Sequence, residues 1–260
     1  MAIRLTATEF EVAWEAMRLG DLPLIFRVCV ERRGLTESER AGVVGGALDG
    51  LCRRGHADRR GIGAELAAAL TVLADPRWTV DGRLDVGRPI RAYGAAGHGD
   101  EAVLATLDGD RMLISGSSTY RLPADLVSLA GDVPPGPGRS INVPVGVLLG
   151  VAGRCGGDSG LLGDELTGHG VPPGDASMIA RLNAERTGGG QFGVETADPD
   201  GVLRRAPRVV GFGDCPLGRW AQLTTAGTGG QQWLTFTPAR LTQLAAMIVD
   251  LLAERGVRPA

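Results

Sequence analysis

No lysine occurs anywhere in this chain of 260 residues, whose 27 basic residues are all arginine. That absence excludes the Gly-Lys-Ser/Thr phosphate loop and any enzyme that forms a Schiff base through a lysine amine. Apolar runs approaching the roughly 20 residues needed to span a bilayer are also missing, and MAIRLTATEF lacks the basic-then-apolar order of a secretory leader. The expectation is a cytoplasmic protein without membrane insertion. Cysteine is sparse: Cys29, Cys52, Cys155 and Cys215 are scattered with no CxxC pair, so they read as reduced core thiols rather than metal ligands or a disulfide framework. A net charge of −3 with both signs interspersed offers no footprint for nucleic acid.

What is present is enough apolar material, 43% of residues, for one large domain or two small ones. Thr8 followed by Glu11 has capping-box spacing and predicts a helix carrying Phe10, Trp14 and Met17 on one face, ended by Gly20. Alternation over Leu24–Glu31 predicts a strand. A second box, Thr36 with Glu39, opens a helix with the stripe Val44, Ala47, Leu48 and Leu51. Another helix carries Leu66, Ala69, Leu70 and Leu73 and stops at Asp75-Pro76.

From Arg77 the pattern becomes a meander, RWTV, PIRAYGAAG, AVLATL and RMLISG, with a type I′-like turn at Asp108-Gly109 and then a proline-started helix at LPADLVSLAG. Residues 131–175 read as short helices in a loosely connected middle, and a better helix spans about Asp175 to Arg186, broken by the glycines at 188–190. Strands return as QFGVETA, a hairpin at DPDG, VLRRAPRVVGFG, RWAQLTTA and WLTFT, before a long helix from Pro238. Pro123-Ala124-x-Leu126-x-x-Leu129 and Pro238-Ala239-x-Leu241-x-x-Leu244 repeat one pattern, each after a meander. Duplication would join the two meanders into one sheet, an α+β fold with helices over it and approximate two-fold symmetry.

Catalytic signals are weak. Gly157-Asp158-Ser159-Gly160 matches the nucleophile segment of trypsin-like proteases, but a histidine base and a buried carboxylate are needed too, and the helical first quarter does not suit paired β-barrels. The segment reads more simply as a flexible turn. A hydrolase built on Ser159 stays as the alternative reading. Gly61-x-Gly63 lacks the third glycine of a dinucleotide fingerprint and reads as a helix start. His56, His98 and His169 lie beside glycines, as exposed loop residues do. Arg204, Arg205 and Arg208 line a strand that a solvent-facing sheet would expose.

FEVAWEAMRLGDLP, then GLTESER and a leucine-bearing helix, resembles the start of the EspG family, the cytosolic chaperones of actinobacterial type VII secretion. The matching positions are Trp14, Leu19, Gly20, Leu22, Pro23, Gly34, Thr36, Glu39 and Arg40, followed late in the chain by Gly218-Arg219-Trp220 and the helix from Pro238. The resemblance implies a single domain over 1–260, with halves at about 1–131 and 132–260, built as a central antiparallel β-sheet flanked by helical bundles. It implies no catalysis and no cofactor or metal. The implied partner is the apolar tip of a helical PE–PPE heterodimer, kept soluble until a secretion system receives it. Family topology and expected exposure then place the contact at His98, Gly99, Asp100, Arg204, Arg208, Arg240, Gln243 and Met247. The middle, 146–174, departs from the family in having few aromatic anchors.

Overall fold

A computed structural model describes residues 2–27 and 36–259. The first strand, β1 (Ala2–Thr6), runs straight into α1 (Ala7–Ala16), whose cap is Thr6: its hydroxyl accepts from the Glu9 N–H while the Glu9 carboxylate accepts from the Thr6 N–H. The capping box is thus two residues earlier than the one expected at Thr8. After the helix both Arg18 (φ 55°) and, as expected, Gly20 (φ 77°) are left-handed, and the Gly20 carbonyl accepts from Trp14 Nε1 at 3.0 Å. Where a strand is expected over 24–31, residues Leu24–Arg27 form a helical turn, α2, and the remainder lies outside the described residues. Phe26 on that turn closes a chain of edge-on rings with Phe10 (5.6 Å) and Tyr93 (6.2 Å), burial that overrides the local alternation.

The second capping box forms as expected, Thr36 with Glu39, at the head of α3 (Glu37–Arg53). A two-stranded ribbon, β2 (Ala57–Asp58) and β3 (Gly61–Ile62), leads to α4 (Ala64–Ala74), for which Gly63 is the N-cap. The meander follows as β4 (Trp78–Asp85), β5 (Pro89–Ala96), β6 (Glu101–Asp108) and β7 (Arg111–Ser118). At the last hairpin only Gly109 of the two loop residues has positive φ (59°), which is the φ pattern of a II′ turn and not I′. Helix α5 (Leu122–Ser128) begins with Pro123 in its first turn.

The second half repeats that order: β8 (Ile141–Pro144), then α6 (Val145–Cys155), α7 (Ser159–Gly168) and α8 (Pro173–Ala184), then β9 (Gly188–Ala197), β10 (Leu203–Arg205), β11 (Val210–Cys215), β12 (Gly218–Ala226), β13 (Gln232–Pro238) and α9 (Leu241–Glu254). The middle is therefore a packed three-helix bundle preceded by a strand, not a loose connection. The glycines at 188–190 open a strand, and VLRRAPRVVGFG divides into β10 and β11. Helix α9 starts at Leu241 after an Arg240 cap, because Pro238 still belongs to β13.

The main sheet runs β1-β7-β6-β5-β4-β9-β11-β12-β13-β8, with β10 on the upper part of β9, and its neighbours are antiparallel. The order reads the same from either side of the β4/β9 seam, so the halves are related by a pseudo-two-fold axis through it. One face buries Trp78, Val80, Phe192, Val194 and Phe212 beneath α5 and α9, which pack against each other. The other carries two separate cores. Ile3, Leu5, Val103, Leu107 and Ile114 pack under the α1–α4 bundle, and Ile141, Val143, Trp220 and Phe236 pack under α6–α8. A gap is left between the bundles over β4, β9 and β11.

Candidate partner-binding groove

Cross-strand register defines the floor of that gap. Arg91 on β5 lies opposite Arg83 on β4, Arg83 opposite Gln191 on β9, Gln191 opposite Gly211 on β11, and Gly211 opposite Gln222 on β12. Partners across a ladder point to one face, so this row is polar between two apolar flanks, Leu107 on one side and Phe236 on the other. Together with Asp85, Arg186 and Thr224 it lines a recess of about 530 Å³. Gly189 and Gly211 keep the floor low, since neither projects a side chain into the recess.

The recess runs into a second, more apolar hollow of about 250 Å³ between α6 and α8, with which it shares Arg186, Gln222 and Leu234. Leu148, Leu149, Ala152, Leu162 and Leu182 form its walls, and Trp220 and Phe236 its base. Leu149 is 66% exposed, an uncommon position for a leucine beside an apolar hollow. Polar floor, apolar wall and an exposed leucine make a surface suited to an amphipathic segment.

Above the recess an ion network bridges the halves. Arg205 on β10 reaches across β9 and donates to both oxygens of Asp81 on β4 (2.6 and 3.2 Å) and to Glu195 (3.3 Å). Its guanidinium occupies the space over Gly193, where a Cβ would collide with it. The hydrogen bond to Asp81 raises the Arg205 pKa, so this cation is fixed at all working pH values. Burial first, and the nearby Glu195 second, push the Tyr93 phenol far above its ordinary range. It stays neutral.

The eight residues expected at the contact do not share one surface. His98, Gly99 and Asp100 form the β5–β6 loop, with His98 Nε2 3.6 Å from Asp75 and Asp100 accepting from Thr119. The β9–β10 hairpin lies at the same end of the sheet, and there Arg204 donates to Asp198 at 3.0 Å. Arg208 is turned to the face covered by α9, bonded to the Thr224 carbonyl (3.0 Å) and paired with Glu254. Arg240 and Gln243 cap the opposite end of α9, a helix about 21 Å long by its 14 residues, and Met247 packs on the core beneath it. Of the three arginines expected on one strand, Arg204 and Arg205 lie on β10 while Arg208 lies between β10 and β11, and Arg205 is the one over the gap. The groove residues Arg83, Leu149, Arg186 and Gln222 carry no motif. Only strand register and the packing of 145–184 assemble them.

Ser159 is the first residue of α7. Asp158 caps that helix, its Oδ1 accepting from the N–H groups of Gly160 (2.9 Å) and Leu161 (3.1 Å), and the Ser159 hydroxyl neighbours Asn183 (3.4 Å). The Gly-Asp-Ser-Gly segment is thus a helix cap and not a flexible turn. Among the described residues no three His, Cys, Asp or Glu side chains converge as a metal cluster would, and no helix is long and apolar enough to cross a membrane.

The sequence profile of the EspG family matches residues 6–250. No curated protein matches the chain. Among solved structures, the chain is similar to the Mycobacterium tuberculosis type VII secretion system chaperone EspG5, determined in complex with the PE25–PPE41 dimer. The TM-score is 0.73 at 16% identity, covering 97% of this chain and 96% of that one. At that identity the likeness is one of fold.

Proposed function

This chain belongs to the EspG family, and from that premise we propose that it is a cytosolic chaperone, without a catalytic step, for a PE–PPE-type heterodimer. One solved structure of the same fold is a type VII chaperone in complex with such a dimer, which supports the partner class. The observation that carries the reading is the groove between the bundles, where the hollow beside exposed Leu149 opens onto the polar floor. A helical tip laid there would bury its apolar anchors against Leu148, Leu149 and Phe236. Holding the cargo in this way would keep those anchors from self-association until the secretion machinery takes it over. His98, Gly99, Asp100 and Arg204, at one end of the sheet, can extend the contact as a rim. Arg208, Arg240, Gln243 and Met247 serve α9 on the other face.

Co-expression with PE–PPE-type pairs of the native host, one pair at a time, tests this. One pair should co-purify and stay soluble only with the chaperone. Leu149→Asp should weaken that complex by about ten-fold or more, the loss of a buried leucine anchor plus a desolvated charge, while Ser159→Ala should leave it unchanged. Retention of no pair, or full retention by the Leu149→Asp chain, would sink the proposal.

A further inference from the structure

Two arginines directly opposite on neighbouring strands are a local fault. Like charges at that spacing repel, and sheets ordinarily pair such positions with acids or polar groups. Arg83 and Arg91 are such a pair, and among the described residues neither side chain has an ion pair or hydrogen bond. The ionisable groups lining the recess with them are Arg186, which donates to the Gly188 carbonyl at 3.1 Å, and Asp85. Three cations against one carboxylate make the floor basic in a chain whose net charge is −3. The neighbouring acids Asp81 and Glu195 are already held by Arg205. Across the seam the same row carries no charge: the next ladder positions after Arg83 are Gln191 and Gly211. Cations therefore gather under one side of the groove, with the apolar hollow at Leu149 on the other.

We infer that Arg83 and Arg91 select their occupant by its carboxylates: the segment that docks is an amphipathic helix with apolar anchors towards Leu149 and Asp or Glu along the flank that lies on the arginine pair. This rests on the chaperone reading and adds the chemistry by which the groove chooses among apolar helices. Arginine suits the task because its planar fork can take a carboxylate through two hydrogen bonds, and the occupant itself excludes water from the pair. Unpaired in the free protein, the two side chains lose no existing partner when the acid arrives.

The test uses the full chain and a synthetic helix of about 20 residues with leucines on one face and glutamates on one flank, beside otherwise identical glutamine and lysine peptides. Titration at low and at raised salt should show the glutamate peptide binding roughly ten-fold more tightly than the glutamine one, the lysine peptide weakest, and the gap narrowing with salt. The Arg83→Gln/Arg91→Gln chain should bind glutamate and glutamine peptides alike. Its melting temperature should equal or exceed that of the parent, since a repulsive pair has been removed. Equal affinity of the parent for all three peptides, a preference that survives the double substitution, or binding of none would overturn the inference. Failure of the chaperone reading is seen separately, as retention of no PE–PPE pair with the peptide preference intact.

Discussion

Arg219 has no access to solvent, and every hydrogen bond it makes has a protein acceptor. Its Nε and one terminal nitrogen take both oxygens of Asp214 (2.7 and 2.8 Å), its terminal nitrogens also reach the carbonyls of Ala130 and Gly131 at the end of α5, and its plane lies 4.8 Å over the Phe212 ring. The neighbours in sequence follow from this placement. Gly218 adopts φ +119° where a Cβ would lie 2.6 Å from the Pro134 carbonyl, and Trp220 points to the opposite face to floor the α6–α8 core. Gly-Arg-aromatic, the late motif of the family resemblance, is therefore a fastening between halves rather than a contact for cargo. Arg219→Met strands a buried carboxylate and two carbonyls and should cost about 3–5 kcal/mol of stability. Arg219→Lys should recover part of it, because one ammonium cannot satisfy the same four acceptors. Urea midpoints of the three proteins decide the matter, and a loss for Arg219→Met within the error of the parent would contradict the role assigned to the pair.

Elements were legible in the sequence wherever local chemistry alone decides them. The Thr36 box, the four-strand meander and the Asp75-Pro76 stop need no distant partner. Thr6–Glu9 and Thr8–Glu11 offer the same box spacing two residues apart, and what selects Thr6 is the pairing of Ala2–Thr6 with Arg111–Ser115, invisible locally. At 188–190 glycine signals a break, yet a Cβ on Gly190 would lie 2.6 Å from the Arg83 carbonyl, so the residue is there for close strand approach and not for a turn. The groove was not legible for the same reason: its row of residues comes from five strands. The DPDG hairpin, by contrast, is local, and its chemistry gives a pH dependence. Asp198 accepts from the N–H of Val202 and from Arg204, which hold its carboxyl below the ordinary 3.8. A depressed folded value means that the stabilisation is complete above pH 3.8 and disappears as pH falls through the lower, folded value. Amide exchange at Gly201 and Val202 should accelerate relative to the sheet in that acid range. Asp198→Asn should remove the step, and an identical profile in the variant would locate the titration elsewhere.

At the scale of the molecule the duplication was visible as an order of elements and not as a residue-for-residue repeat, since Pro123 lies inside α5 whereas Pro238 closes β13. The symmetry has a physical consequence: each half keeps its own bundle core, but the core beneath α5 and α9 is complete in neither. The β4/β9 ladder runs the whole length of β4, the cluster beneath α5 and α9 draws side chains from both sides of the seam, and Arg205–Asp81 and Arg219–Ala130 cross it. Separated at 131/132, each half would expose a long, apolar central strand as an edge, the configuration that templates aggregation. Residues 1–131 and 132–260 expressed alone should therefore be insoluble or lack a cooperative thermal transition, and expressed together they should co-purify as one folded complex. The groove spans the seam too, so the reassembled pair, but neither half, should bind the acidic helix peptide. A soluble 1–131 fragment with its own sharp melting transition would show that the halves are autonomous domains and that the seam is a contact between finished units.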